Sequence, residues 1–181
     1  MPLTAPRGLL GSRPVIEFTL RHPLDCTPAR HWQLFFDPEW TRTLIVDGLG
    51  FFSCDVRPVV QDGTVRRREM AVTPKLDIPQ AVAKILGPKL GYTEKGTYDE
   101  TREQWAYKMV LNVLTEKILI GGEVTIEPLG DDRCTRVSKM WVEVKIFGVG
   151  GMIEKAAEKN MRDGWDRSAQ WINGWLAKNP A

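Results

Sequence analysis

The two histidines, His22 and His31, are the first candidates for catalysis or metal binding, and neither lies in a motif that would use it. No HExxH, GxSxG or paired-histidine pattern surrounds them. His31 stands beside Trp32 on a short predicted helix, where a packed or surface position is the simpler interpretation. The three cysteines are far apart and odd in number, which argues against a disulfide framework or a cysteine metal site. We therefore expect neither a metal nor a cofactor.

A glycine-rich segment, Gly148-Val149-Gly150-Gly151, opens the last predicted helix and could hold an anion on backbone N–H groups. It lacks the Lys and Ser/Thr of a P-loop and the full spacing of a dinucleotide-binding loop. The simpler interpretation is a turn between a strand and a helix.

Charged residues on a predicted strand are better candidates for a binding role. Arg67 and Glu69 share one face of this strand, while Arg66 and Arg68 share the other. Either phase directs charge toward the inside of a curved sheet, where a buried charge needs a partner or a ligand group. We take Arg67 and Glu69 as candidate ligand-binding residues; the alternative is that the two simply pair with each other.

The last predicted strand, Arg133 to Phe147, raises a similar question. Arg136 and Ser138 share a face with Met140. The simpler interpretation leaves Arg136 at an exposed strand end, with Ser138 and Met140 toward the interior.

These residues need elements to position them, and the C-terminal helix predicted over Gly150 to Lys178 is the main one. Its apolar residues recur at helical spacing on one stripe, and charged residues occupy the other side. Gly164 and Ser168 lie within the stripe beside Met161 and Trp165. Small residues there either admit a closely packed neighbour or leave a space for a ligand.

Alternating apolar and polar residues predict the strands that this helix must cover. They run from Pro14 to His22, Phe51 to Gln61, Thr64 to Thr73, Tyr92 to Asp99, Glu103 to Leu114, Lys117 to Pro128 and Arg133 to Phe147. Two short helices follow the first strand, with Thr27 and Asp37 as caps ahead of Pro28 and Pro38. Short connections make the sheet antiparallel. The fold class is α+β: a curved antiparallel sheet of about six to seven strands around a long C-terminal helix.

A helical insertion, residues 77–87, interrupts the strands. Asp77 is predicted to cap it, and Ile78, Val82, Ile85 and Leu86 are predicted to face the domain. Whether it acts as a lid over a cavity or docks a partner stays open.

Composition predicts one domain, residues 14–181, after a loose tail over residues 1–13. The net charge is +2, and no long basic run calls for nucleic acid. No apolar run is long enough for a transmembrane segment, and the N-terminus lacks a secretory pattern, so we expect a cytoplasmic protein. Transient contact with a membrane stays open, and so does the question of a protein partner.

Two segments resemble the START-like helix-grip superfamily, which includes birch-pollen-allergen-like proteins and polyketide cyclases. One runs from Phe18 to Trp40 and contains Thr27-Pro28-Ala29-Arg30-His31-Trp32. The other is the passage Ile146 to Glu154 into the long helix, and a bacterial branch with a mid-sheet insertion is the most similar. The resemblance implies a deep apolar cavity between sheet and helix that binds lipids, sterols or polyketides, with enzymes in the minority.

We therefore predict non-catalytic binding of a hydrophobic small molecule between the sheet and the C-terminal helix. The alternatives are a cyclase- or dehydratase-type enzyme using the same cavity, and a protein-interaction module whose cavity is filled by its own side chains. The candidate ligand-binding residues are Arg67, Glu69, Tyr92, Tyr98, Trp105, Tyr107, Met109, Ser138, Met140, Met161, Gly164, Trp165 and Ser168.

Overall fold

The computed structural model describes residues 15–180, and the predicted tail over residues 1–13 lies outside them. The described residues form eight strands, four α-helices and a π-helical turn over Leu44–Gly48. The strands are β1 (Ile16–Leu24), β2 (Ser53–Val56), β3 (Val60–Asp62), β4 (Val65–Thr73), β5 (Tyr92–Asp99), β6 (Gln104–Leu111), β7 (Ile118–Leu129) and β8 (Arg133–Val144). The helices are α1 (Pro28–Phe35), α2 (Pro38–Thr43), α3 (Gln80–Leu86) and α4 (Gly150–Lys178).

The strands build a single antiparallel sheet, as their short connections predict. Its order is β1-β8-β7-β6-β5-β4-β2, and β3 also pairs with β4. The strand β1 lies at one edge of the sheet, beside β8. The sheet is curved, and α4 lies over its inner face. The predicted bounds of β5 and α4 are confirmed.

The sheet has more strands than the sequence predicts, because the extended run from Phe51 to Gln61 is divided. β2 ends at Val56 and β3 begins at Val60, and both pair with β4. Pro58 lies in the gap, and proline has no N–H group to donate to a strand ladder.

The two short helices begin where their caps predict. Thr27 Oγ1 accepts a hydrogen bond of 3.2 Å from the Arg30 amide, and Asp37 Oδ1 accepts one of 2.9 Å from the Trp40 amide. Each side-chain oxygen accepts from an N–H group of the first helical turn, which has no backbone partner within the helix.

The insertion folds as α3 and packs against α4. It differs from the prediction in the position of Ile85 and in the role of Asp77. Val82 and Leu86 are buried and Ile78 is half-buried, but Ile85 faces outward with 36% of its surface exposed. Asp77 does not cap the helix. Its backbone N–H donates to Asn160 on α4 (3.0 Å) and its carbonyl accepts from the same side chain (2.8 Å), so it fastens the insertion to the long helix.

Packed aromatic rings fill the part of the inner face that lies under α1. The Trp32 and Tyr98 ring centroids are 4.5 Å apart, and those of Phe35 and Trp105 are 5.2 Å apart. The Trp105 ring lies over Gly96, its diagonal neighbour on β5, which has no side chain to obstruct it. A Cβ at position 96 would be 1.9 Å from the Trp105 ring.

We expect Gly96→Ala to destabilise the fold by about 1–3 kcal/mol, because the added methyl group must displace a fully buried ring. Denaturant unfolding with a common slope measures this change. Lys108→Ala, on the outer face of the adjacent strand, is the control, and its free energy of unfolding should change by about 0.5 kcal/mol or less. A Gly96→Ala protein as stable as the wild type would contradict this packing.

Candidate ligand-binding cavity

A cavity of about 230 Å³ lies between the inner face of the sheet and the helices α3 and α4. Most of its wall is apolar, with strands β4 to β7 on one side and the helices on the other. Typical apolar wall residues are Met70, Met109, Leu111, Val124, Ile78, Val82, Leu86, Ile153, Ala157, Met161 and Ile172. Trp40 and Leu44 contribute from α2 and the turn that follows it. Such a surface can remove the apolar part of a ligand from water.

Gly164 gives the cavity room at the middle of α4. A Cβ at this position would meet no packing neighbour within 4 Å among the described residues. Ser168, one helical turn further on, is buried and also lines the cavity.

An ion pair between Arg68 and Glu94 forms one polar part of the wall. Arg68 Nη2 donates to Glu94 Oε1 at 3.0 Å, and both side chains are buried. The Arg68 guanidinium also stacks on Phe35, 3.8 Å from the ring centroid, and donates to the Phe35 carbonyl. Burial raises the pKa of Glu94, while the adjacent Arg68 charge opposes that rise.

A second guanidinium, that of Arg136 on β8, forms another polar part of the wall and is 4% exposed. Its Nη2 donates to the Trp165 carbonyl at 3.0 Å and to Ser168 Oγ at 2.9 Å. It also lies 3.3 Å from His22 Nδ1, and the guanidinium stacks on the Trp165 ring at 4.4 Å. Burial lowers the pKa of Arg136 to about 9. It therefore remains a cation at neutral pH.

His31 on α1 also lines the cavity and is 4% exposed. Its Nε2 is buried and has no hydrogen-bond partner within the described residues. Burial, followed by the charges of Arg136 and Arg68, lowers the pKa of His31 to about 3. The ring is therefore neutral at physiological pH.

The candidate residues from the sequence divide into three groups. Those on the cavity wall are Tyr92, Met109, Met161, Gly164, Trp165 and Ser168. Those buried in the core beside it, without lining it, are Tyr98, Trp105, Tyr107, Ser138 and Met140. Those on the outer face of the sheet are Arg67 and Glu69.

The placement of Arg67 and Glu69 corrects the predicted phase of β4. Arg67 pairs with exposed Asp62 at 3.1 Å, and Glu69 pairs with Arg57 at 3.1 Å. Because side chains alternate along a strand, Arg68 points inward instead. The sequence contained evidence for this orientation. Met70 and Val72 lie on the same face of β4 as Arg68, and apolar residues favour the inner face.

Sequence reasoning also missed Glu94 and Arg136 as wall residues. Glu94 lies on the same face of β5 as Tyr92 and Tyr98. The prediction that these tyrosines face inward therefore implied that Glu94 faces inward as well. Arg136 could not be placed in this way. Whether a strand end is exposed depends on the elements that cover it, and β1, α1 and α4 enclose this one.

Two structural properties bear on partners. Within residues 15–180, no group of three or more His, Cys, Asp or Glu side chains is arranged to hold a metal ion. In the same part of the chain, no helix combines the length and apolar character required to cross a bilayer.

Solved structures with the same architecture include three informative cases. The Zhui aromatase/cyclase from a Streptomyces species aligns over 87% of this chain and 93% of its own, with a TM-score of 0.60 and 12% identity. Norcoclaurine synthase from Thalictrum flavum, in complex with dopamine and hydroxybenzaldehyde, aligns over 100% of this chain and 98% of its own. The TM-score is 0.60 and the sequence identity is 15%. A START superfamily protein from Mycobacterium smegmatis aligns over 90% of this chain and 98% of its own. The TM-score is 0.55 and the sequence identity is 14%. At such identities the likeness establishes the fold alone.

The curved antiparallel sheet, the long covering helix and the cavity between them give this chain the helix-grip fold that these solved structures have. Comparison with curated proteins finds no matching sequence. The chain belongs to the family described as "Protein of unknown function (DUF2505)", whose model matches residues 19–176.

We expect Glu94→Gln to lower the free energy of unfolding by about 3–5 kcal/mol, because it leaves the buried Arg68 without its counter-ion. Glu69→Gln on the neighbouring strand is the matched control. Its ion pairs are on the outer face and should contribute about 1 kcal/mol or less. Equal losses in the two variants, measured by denaturant unfolding, would contradict this assignment.

His31 should make the protein less stable as the pH falls. Its folded pKa of about 3 lies below the ordinary 6.5, so the unfolded chain binds a proton that the folded protein excludes. Its stabilising contribution is present above about pH 6.5 and is lost between pH 6.5 and 3, by roughly 1.4 kcal/mol per pH unit. Denaturant midpoints across this range should fall less steeply for His31→Gln than for the wild type. Parallel curves would contradict the shift.

Proposed function

We propose that this protein binds a small, mostly apolar molecule in the cavity between the sheet and α4 and releases it chemically unchanged. The observation that carries the proposal is the cavity itself, about 230 Å³ within an otherwise packed domain. Protein interiors are close-packed, and a space of this size forfeits the contacts that its walls would otherwise make. A ligand restores those contacts and gains about 25 cal/mol per Å² of apolar surface removed from water.

Among lipids, sterols and polyketide-like molecules, the cavity volume favours the smaller ones. It lies just below the roughly 300–1,000 Å³ usual for ligand sites. At about 30 Å³ for each water-sized group, the cavity of about 230 Å³ accommodates roughly eight such groups. One short chain or one small ring system fits this size better than a sterol does.

The enzyme alternative has one observation in its favour. Glu94 is a carboxyl group on the cavity wall whose pKa is raised by burial, as general acid–base catalysts often require. Its ion pair with Arg68 gives it a structural role as well. Mass spectrometry of a bound compound before and after prolonged incubation separates the alternatives. Recovery of unaltered compound supports binding, and a converted product supports catalysis.

The interaction-module alternative requires a cavity filled by the protein's own rings. Trp105 and Tyr98 do fill the region beneath α1, but a Cβ at Gly164 meets no side chain of residues 15–180 within 4 Å. This free space argues for a ligand. The cytoplasmic location stays a prediction.

Gly164→Leu tests the proposed function by filling the space from the helix side. We expect the melting temperature to be kept or raised, because leucine favours a helix over glycine by up to about 1 kcal/mol and finds room for its side chain. Binding of an uncharged apolar probe, such as octanol followed by calorimetry, should weaken at least about tenfold.

Gly174→Leu is the matched control on the exposed side of the same helix, where a Cβ also meets no packing neighbour within 4 Å. It should share the gain in helix stability and leave probe binding unchanged. No probe binding to the wild type, together with a marked loss of stability in Gly164→Leu, would contradict the proposal and favour the interaction module.

A further inference from the structure

Among residues 15–180, two guanidinium groups line the cavity, and one of them has a carboxylate as its direct partner. Arg68 pairs with Glu94 at 3.0 Å. For Arg136, no carboxylate of the described residues lies within ion-pair distance, and its three hydrogen bonds go to neutral groups. The wall therefore has more positive than negative charge near Arg136.

The nearest acid, Asp166, is separated from Arg136 by a histidine ring. A guanidinium only donates hydrogen bonds, so His22 Nδ1 must accept from Arg136 and His22 Nε2 must carry the proton. That Nε2 donates to Asp166 Oδ1 at 2.8 Å. The Asp166 side chain is 57% exposed, so water screens the charge that it offers across the ring. Asp166 orients His22 and only partly compensates Arg136.

Donor groups remain available beside this charge. None of the three hydrogen bonds of Arg136 uses Nη1, and Nε is buried without a partner in the described part of the chain. His31 Nε2 is likewise without a partner. A neutral imidazole with its proton on Nε2 can donate to an oxygen without adding charge. Arg136 and His31 thus present donors to the cavity, and the Glu94 carboxylate on the same wall is already paired with Arg68.

We propose that the ligand is a short amphiphilic acid whose carboxylate lies against Arg136 and His31 and whose apolar part occupies the space below Gly164. This inference rests on the proposed function and specifies its ligand class. A single carboxylate matches the one guanidinium without a direct counter-ion. A charge-assisted hydrogen bond is stronger than a neutral one and offsets part of the cost of enclosing Arg136. The apolar wall provides the remaining affinity.

Three probes of equal chain length test the charge preference without any mutation. Octanoate, octanol and octylamine differ only in the polar end, and at about pH 8 the first is an anion and the last a cation. Calorimetry measures their affinities, and the fluorescence of the cavity-lining Trp40 and Trp165 reports binding independently. We expect octanoate to bind at least about tenfold more tightly than octanol, or about 1.4 kcal/mol, and octylamine to bind most weakly.

Arg136→Met then assigns the preference to one residue. It should weaken octanoate binding at least about tenfold and leave octanol binding equal or stronger. Arg67→Met on the outer face of β4 removes an exposed arginine and is the matched control, with unchanged affinities expected. If Arg136→Met does not fold, Arg136→Lys keeps a cation there and should keep the order of the three probes.

The outcomes separate this inference from the function on which it rests. Equal binding of octanoate and octanol to the wild type would overturn the acidic ligand and leave apolar binding intact. A preference for octanoate that survives in Arg136→Met would also overturn it. Failure of all three probes to bind would overturn the proposed function together with the inference.

Discussion

Arg136 is a full positive charge enclosed by β8, β1 and the long helix, and its surroundings are arranged to tolerate it. The Trp165 carbonyl and Ser168 on α4 accept its hydrogen bonds, and His22 on β1 connects it to Asp166. Burial of a charge is costly, and these acceptors offset only part of the cost, because the Arg136 Nε has no partner within residues 15–180. These contacts join the first strand, the last strand and α4 at one point, so they also fix the helix above the cavity.

The inner face of the sheet has two regions with different packing. Under α1, rings such as Trp32 and Trp105 interlock, and Gly96 permits their close approach. Under α3 and the middle of α4, most wall residues are aliphatic or small, and the cavity remains between them. The filled region supplies rigidity, and the open region supplies a site. This division explains why a domain rich in tryptophan still contains a binding cavity.

The pattern of residues was sufficient for most of the architecture. Alternation predicted the strands, capping residues predicted the starts of α1 and α2, and an apolar stripe predicted α4 over the residues that it occupies. The errors lie where local pattern is ambiguous. β4 carries charge on both faces, so its phase depends on strand pairing, and the extended run before it is divided at Pro58. Asp77 has the form of a cap, yet Asn160 on a distant helix binds its backbone.

For the candidate site, the sequence by itself determined that a one-sided helix with small residues at Gly164 and Ser168 must cover an alternating sheet. Hydrophobic periodicity is a local property and can be read along the chain. Only the tertiary structure decided that Arg136 is buried, that His31 lies on the same cavity wall, and that Arg68 is paired with Glu94. Burial and pairing depend on elements far apart in the chain, such as β8 with α1 and β4 with β5. The electrostatic character of the cavity was therefore decided by packing.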